Sequence, residues 1–407
     1  MTKNVYIHIP FCRSKCHYCS FVSFDKLELK DAYVDALKKQ IRSEYKGEKL
    51  NTLYFGGGTP SLLAIEDFMS LISLFNIDKD AEITVEMNPE GLKKDYLIGL
   101  RLCGVNRISI GSQSFDDGIL KLIGRRHTSA KIKLAVKLAK EAGFENISLD
   151  LIYGLPTQTM EGFVNDLDEA LNQNVQHISL YGLKIEEGCY FSAHMLVMLP
   201  DLDTQADMYL KAVEKLTPAE LHSNQSPVLN AAPYQNCFEH YEISNFAKSN
   251  SVIKGKTPHP NPLPQGARGH NILTLPKEFQ SKHNLNYWDN NTYYGFGLSA
   301  SGYIDKIRYT NELNLENYIA NPLSKNSEQK LTENEILEEE IFLGLRKISG
   351  ISVEKINKKF NIDFEVKYKN ILDKYLETGH LIKTQNGYTL SIEGVLVSNE
   401  ILSEFIN

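Results

Sequence analysis

The sequence predicts an α/β fold: a partial barrel of six parallel strands, followed by a smaller, mainly helical module of winged-helix type. Three observations carry this. Six short β-rich stretches recur through the first half, at residues 5–9, 52–55, 82–87, 107–110, 147–153 and 177–183. Segments of helical periodicity separate them at intervals of roughly 25–45 residues, the pattern of βα units. Six units fall short of the eight that close a (β/α)8 barrel, so the sheet is expected to stay open.

Along the first strand, alternation puts Tyr6 and His8 on one face and Ile7 and Ile9 on the other. Two polar aromatics pointing together suggest the lumen; a satisfied core histidine is the alternative for His8. One helix is marked by Ala32, Ala36, Leu37, Ile41 and Tyr45, and another by Ile132, Ala135, Val136, Ala139 and Ala142, stopping at Gly143. In such folds the reactive groups follow the C-terminal ends of strands, where the loops converge on one mouth.

A different texture begins near Leu216. Ser, Asn, Pro and Gln concentrate over residues 217–236, and Pro258, Pro260, Pro262 and Pro264 alternate without an apolar face. Such a segment joins neither ladder nor helix and is expected to be an exposed, irregular loop. It resembles the peptides that small mobile repeats encode in frame; an ordinary long linker is the alternative. Residues 287–309 are rich in aromatics and glycine. Beyond them, residues 335–345, 353–360 and 364–378 read as helices, and residues 383–390 as a hairpin turning at Asn386-Gly387. The expected division is a core at 1–216, a connecting region at 217–310 with insertions at 217–236 and 251–280, and a C-terminal domain at 311–407.

With 407 residues, 42% of them hydrophobic, the chain has the composition of a soluble globular protein. A formal net charge of -7 argues against nucleic acid as a partner, since phosphate neutralisation needs a basic surface. Neither a signal peptide nor an apolar run of the roughly 18 residues a span needs is visible, so the expected location is cytoplasmic. Six cysteines are too few for a disulfide scaffold in a chain of this length. Cys103, Cys189 and Cys237 read as free thiols, but Cys12, Cys16 and Cys19 cluster in the loop after the first strand.

Fe–S sites usually take four cysteines, and here there are three. Three thiolates can ligate three irons of a [4Fe-4S] cubane. The fourth iron is then open to chelate the amino and carboxylate groups of S-adenosylmethionine (SAM), and electron transfer from the cluster cleaves a carbon–sulfur bond to give a 5'-deoxyadenosyl radical. A structural zinc site with His17 as fourth ligand is the alternative. The strand-end rule adds further groups. Gly56-Gly57-Gly58-Thr59-Pro60 ends the second strand, Glu86 the third; Gln113 follows the fourth, Asp150 lies on the fifth, and Arg125 falls in the next helical segment. Each alone reads as a turn, cap or surface residue; together they point to one mouth.

These residues carry a family resemblance. Tyr6-Ile-His-Ile-Pro-Phe-Cys12-Arg-Ser-Lys-Cys16-His-Tyr-Cys19, Gly56-Gly-Gly-Thr-Pro60, Val85-Glu-Met-Asn-Pro89, Arg107-Ile-Ser-Ile-Gly-Ser-Gln113 and Asp150-Leu-Ile-Tyr-Gly-Leu-Pro156 resemble the radical SAM family of oxygen-independent coproporphyrinogen III oxidases and their relatives. The resemblance implies a radical SAM core and a HemN-type C-terminal domain. It also implies SAM contacts from Tyr6, Gly58, Thr59, Glu86, Gln113, Arg125 and Asp150, with Gly57 beside them and Tyr18 near the adenine.

Two branches divide this family. The decarboxylating oxidases carry a further cysteine two residues past the third and a longer N-terminal extension. This chain has Phe21 at that position and four residues before its first strand. It is therefore more similar to the branch of heme chaperones, which implies heme as ligand, apo respiratory proteins as recipients and an electron donor for the cluster. That branch also shows His283-Asn284-Leu285-Asn286-Tyr287-Trp288, whose imidazole is expected as an axial heme ligand with Tyr287 and Trp288 covering the macrocycle. An aromatic packing motif with a capping histidine is the alternative. His240-Tyr-Glu-Ile-Ser-Asn245 also matches, without an assigned role. About thirty additional residues near 251–280 separate it from the His-Asn motif, where they could obstruct a heme site.

Overall fold

The computed structural model describes residues 2–194, 198–217, 238–248 and 279–406. The expected insertions lie outside these residues except for Thr217 and positions 279–280, and Cys237 lies outside them too.

β1 (Asn4–Ile9), β2 (Leu50–Gly57), β3 (Ile77–Met87), β4 (Arg107–Gln113), β5 (Asn146–Tyr153) and β6 (His177–Gly182) pair in sequence order, all parallel. The sheet does not close. β7 (Phe238–Glu242) and β8 (Asn245–Lys248) add an antiparallel hairpin beside β6, and β9 (Tyr294–Phe296) pairs parallel to β1. These three extra strands were not expected. Each is three to five residues long, too short for a two-residue period to show. At Gly295 a Cβ would fall 1.9 Å from the Ser301 carbonyl oxygen, so glycine permits a close backbone approach there.

The strand alternation separates two faces. Val5, Ile7, Ile9, Leu53, Phe55, Val85, Ile108, Ile110, Leu149 and Ile178 are fully buried on one. Over it lie α1 (Lys30–Glu44), α2 (Ile65–Ile72), α3 (Lys94–Leu102), α4 (Asp117–Leu122), α5 (Ser129–Glu141) and α6 (Met160–Asn172). α5 buries Ile132, Ala135, Val136 and Ala139, the stripe its periodicity predicts, and Gly143 follows at φ +87°. Each buried aliphatic side chain contributes about 1.5–3 kcal/mol.

The other face is polar. Asn4, Tyr6, His8, Thr52, Tyr54, Glu82, Glu86, Arg107, Ser109, Ser148, Asp150 and His177 occupy the opposite phase of the same strands. After α7 (Tyr190–His194) and α8 (Leu202–Leu216), α9 (Lys282–Trp288) crosses the N-terminal half of this face. Glu82 holds it there. Its carboxylate accepts from the backbone N–H of Lys282 at 3.1 Å and of His283 at 3.2 Å, and from Ser281 Oγ at 3.4 Å. An anion at a helix N-terminus meets both the free N–H groups and the positive end of the dipole. The floor is thereby sealed and the mouth stays at the C-terminal ends.

β10 (Ser301–Ile304), β11 (Ile307–Asn311) and β12 (Lys325–Lys330) form a second, antiparallel sheet, with α10 (Leu315–Ala320) between its last two strands. α11 (Glu333–Gly344), α12 (Val353–Phe360), α13 (Phe364–Lys367) and α14 (Lys369–Glu377) follow, with β13 (Ile351–Ser352), β14 (Leu381–Lys383) and β15 (Gly387–Leu390) as the wing. Two local expectations change. The helix expected over 364–378 breaks at Tyr368, where φ is -108° and ψ 18°. The hairpin turns at residues 384–386, and Gly387 opens β15 instead of completing the turn. A Cβ on Gly387 would lie 2.2 Å from the Ile351 carbonyl oxygen, so this glycine serves the close approach of β13.

Candidate functional site

The cysteine loop leaves β1 and is closed at its base by Cys12 N–H to Phe24 O at 2.9 Å and Phe24 N–H to Pro10 O at 2.8 Å. All three cysteines are half-buried. The glycine run after β2 lies directly on this loop. Gly58 N–H donates to Ile9 O at 2.9 Å and Thr59 N–H to Phe11 O at 2.7 Å. A Cβ at Gly58 would meet Phe11 O at 2.7 Å.

Gly57 has φ +107°, and a Cβ there would fall 2.5 Å from the His8 ring. That ring is fixed: Tyr6 OH donates to Nδ1 at 3.1 Å, and Nε2–H donates to Val22 O at 2.9 Å. Burial pushes the His8 pKa down to about 4, so it stays neutral. His8 is thus a satisfied buried histidine on the lumen face, supporting the glycine run.

Glu86 accepts from Tyr54 OH at 2.7 Å and from Gly57 N–H at 3.1 Å. Burial pushes its pKa up to about 7, the Tyr54 bond opposing. Asp150 accepts from Ser109 Oγ at 2.8 Å and Ser148 Oγ at 3.3 Å, and burial raises its carboxyl as well. Gln113 takes φ +67°, in the left-handed region, where the β4–β5 register shifts. Irregularities of this kind re-aim side chains at functional rims. Its amide and the Arg125 guanidinium converge on Gly111, where an added Cβ would lie 2.9 and 3.1 Å from them.

Arg125 reaches the loop from the α4–α5 connection. Nη1 lies 3.5 Å from Cys16 Sγ, while Nη2 donates to Asn88 Oδ1 at 2.8 Å and to Gly111 O at 2.6 Å. Asn88 Nδ2 donates to Thr59 Oγ1 at 3.1 Å, itself 3.4 Å from Cys12 Sγ. Arg125, Asn88 and Thr59 therefore form one chain between two of the three thiols. Asn88 was not singled out from sequence, although it lies within the Val85–Pro89 stretch that carries the family resemblance. Burial pushes the Tyr18 hydroxyl up, and Tyr18 bonds to Cys16. A cavity of about 430 Å³ opens beside Cys16, Thr59, Asn88 and Arg125.

This donor set fits a cubane cluster. Burial pushes the Cys19 thiol up to about 11. His17 bonds outside the cysteine loop. Its Nδ1–H donates to Leu122 O at 2.9 Å and its ring packs 4.6 Å from Tyr190. Among the described residues no three Cys, His, Asp or Glu side chains converge on a single metal ion. A cubane needs no such convergence, because each thiolate takes a different iron.

The residues expected to face heme lie elsewhere. His283 is 1% exposed, under the lumen floor, stacked 4.9 Å from Tyr54. The single Thr52 hydroxyl proton goes to Asn4 Oδ1 at 3.0 Å, so Thr52 Oγ1 accepts from His283 Nδ1–H at 2.8 Å. Nε2 then accepts from Tyr287 OH at 2.8 Å. Both ring nitrogens are thus hydrogen-bonded within the fold. Tyr287 is committed to that imidazole, and Trp288 lies under the Arg346 guanidinium at 5.7 Å.

Comparison with known proteins agrees with this architecture. Residues 6–170 match the radical SAM superfamily and residues 331–397 the HemN C-terminal domain. The chain is 35% identical to the heme chaperone HemW of Lactococcus lactis, over 99% of this chain and 97% of that one. It is 32% identical to the heme chaperone HemW of Bacillus subtilis, over 99% of both. Among solved structures, coproporphyrinogen III oxidase (HemN) from Escherichia coli, a radical SAM enzyme, superposes with a TM-score of 0.77 at 20% identity, over 99% of this chain and 90% of that one.

Proposed function

The chain belongs to the radical SAM superfamily and, within it, to the family of HemW heme chaperones, and on that premise we propose that it binds heme and delivers it to apo respiratory proteins. The observation that carries this reading is the likeness to HemW proteins along essentially the whole chain. Phe21, 65% exposed just beyond Cys19, agrees with it, since the decarboxylating branch has a cysteine there. Among the described residues no helix is long and apolar enough to cross a membrane, in keeping with a cytoplasmic protein that meets its recipients at their own sites.

Cys12, Cys16 and Cys19 are proposed to hold a [4Fe-4S] cluster, with Tyr6, Tyr18, Gly57, Gly58, Thr59, Glu86, Gln113, Arg125 and Asp150 around SAM. When bound, the cluster supplies one electron from a donor protein and an iron open to the SAM amino and carboxylate groups. The chain's own residues shape the mouth. The glycine run offers backbone groups at close range, Arg125 offsets thiolate charge, and Glu86 gains or loses its proton near neutrality.

One experiment tests the reading. Protein reconstituted anaerobically with iron and sulfide is titrated with hemin and mixed with an apo-hemoprotein. In parallel it is incubated with SAM, reductant and coproporphyrinogen III. Saturable heme binding with transfer is expected; protoporphyrinogen formation at catalytic rates, or no heme binding, rejects the chaperone assignment.

A further inference from the structure

His240-Tyr-Glu-Ile-Ser-Asn245 lies away from the mouth, yet its place in the fold ties it to one residue there. The stretch ends β7 and opens β8, and the ladder between them slips at Tyr241, with His240 paired to Phe246 and Glu242 to Asn245. An irregularity of this kind re-aims the side chain it carries. The Tyr241 carbonyl accepts from Ile348 N–H at 3.2 Å, in the C-terminal domain, while its ring is buried 5.8 Å from that of His177 on the lumen face of β6.

Tyr241 begins a chain of hydrogen bonds. Its hydroxyl accepts from the N–H of Ser281, the cap of α9, at 3.2 Å, and lies 2.9 Å from His177 Nε2. His177 Nδ1 lies 2.8 Å from Ser148 Oγ, and Ser148 Oγ 3.3 Å from Asp150 Oδ1. Tyr241, His177 and Ser148 are all buried, so a partner lost here is not replaced by bulk water.

Burial and the Arg107 guanidinium keep the His177 ring neutral, so it carries one proton and the chain has two possible senses. With the proton on Nδ1, Tyr241 OH donates to Nε2, Nδ1–H donates to Ser148, and the Ser148 proton is free for Asp150. Each of these hydroxyl protons then has an acceptor. With the proton on Nε2, Tyr241 accepts twice and its own proton meets no described acceptor, while Ser148 turns from Asp150 to Nδ1. Arg107 Nη2, 3.4 Å from Nδ1, favours that second form. A bond of such length is weak beside the buried hydroxyl proton it would leave unpaired.

We propose that Tyr241 is a positioning residue for SAM binding: through the His177 tautomer it gives Asp150 the Ser148 proton. Asp150 then has this donor beside Ser109 Oγ at 2.8 Å, which favours the charged carboxylate and holds it in one orientation. The proposal rests on the assignment of Asp150 to the SAM site above. It places the α9 cap and a SAM contact at the two ends of one chain.

The test uses full-length chain with its cluster reconstituted and oxidised. SAM affinity is measured by equilibrium dialysis. The His177 tautomer is read by nitrogen NMR of isotope-labelled histidine, the signal being assigned by its loss in His177→Gln. Wild type is expected to show the proton on Nδ1. Tyr241→Phe keeps the ring and removes the hydroxyl; it is expected to weaken SAM binding about five- to tenfold and to move the proton to Nε2. Ser148→Ala is expected to weaken binding to a similar degree, and the double variant no further. Ser281→Ala removes the α9 cap but keeps the backbone N–H. It is expected to lower stability in urea with SAM affinity and tautomer as in wild type, which separates positioning from general loosening. A wild-type proton on Nε2, wild-type SAM affinity in Tyr241→Phe, or equal weakening by Ser281→Ala overturns the proposal and leaves the SAM site standing. If wild-type protein binds no SAM, the SAM assignment falls with it.

Discussion

Arg125 donates to Asn88 through one guanidinium nitrogen, at 2.8 Å, while the other stands 3.5 Å from Cys16 Sγ. Asn88 is thus the residue that decides where the cation rests, and through Thr59 it also reaches Cys12. A hydrogen bond to a charged group contributes about 1.5–3 kcal/mol. Asn88→Ala is expected to lower the unfolding free energy by about that amount and to reduce iron retained per chain after desalting. Arg125→Lys keeps the charge but loses the fork that spans Asn88, Gly111 and Cys16. It is expected to retain less iron than wild type and more than Arg125→Ala. Equal iron content in all three variants would remove the chain Arg125–Asn88–Thr59 from any part in holding the cluster.

Gly57 and His8 give a second expectation. Alanine at Gly57 meets two separate penalties, a φ of +107° and a Cβ 2.5 Å from the imidazole. Backbone strain of this kind costs about 1–3 kcal/mol. Gly57→Ala is expected to destabilise by at least that much in urea. In the double variant with His8→Ala the steric part disappears and only the backbone part persists, so the two changes should be less than additive. Full additivity would mean that His8 has no bearing on the glycine run.

The contrast between the legible and the illegible parts follows from how far a side chain's role is local. The six parallel strands show in sequence because each is six residues or longer and alternates apolar and polar groups about a sheet with one apolar and one polar face. β9 has three residues, and what specifies it is Gly295 meeting the Ser301 carbonyl, a contact no sequence pattern displays. Asn386-Gly387 carries the composition of a turn, yet Gly387 is required by β13 across the wing. Most of the mouth residues were legible because they lie on a strand or just past its end, as Asp150, Glu86 and the Gly56–Thr59 run do, while Arg125 comes from the α4–α5 connection. His283 is ambiguous in sequence because an imidazole beside aromatics reads alike whether it faces iron or Thr52 and Tyr287.

His283 itself yields a stability expectation. Its ring fills the space between Tyr54 and Tyr287 and bonds at both nitrogens. His283→Ala removes buried volume and leaves Thr52 and Tyr287 short of partners. A loss of about 2–5 kcal/mol is expected in chemical denaturation. Heme affinity per folded molecule is expected to be unchanged. A variant of wild-type stability with impaired heme binding would make His283 a heme ligand.

The pH dependence of stability sets Glu86 against two histidines. Burial raises the Glu86 pKa to about 7, so between its ordinary carboxylate value and 7 the folded state holds a proton that the unfolded state has released. Its contribution is full below the unfolded pKa and is lost as pH rises towards 7. His8 and His283 run the other way. Burial depresses them to about 4 and about 3, so their contribution is full above the unfolded value near 6.5 and is lost as pH falls below it. From pH 7 to pH 5 the terms oppose, but two histidines at about 2 kcal/mol each outweigh one carboxyl at about 2 kcal/mol, so wild-type stability is expected to fall. Glu86→Gln removes the compensating term and keeps Tyr54 and Gly57 within reach of an amide. The variant should lose stability on acidification from pH 7 to pH 5 more steeply than wild type, by an amount on the order of 2 kcal/mol. Urea denaturation at pH 5, 6, 7 and 8 reads the slope. Parallel wild-type and Glu86→Gln profiles would show that the carboxyl is already ionised at pH 5, leaving it no proton to exchange near neutrality when a SAM amino group arrives.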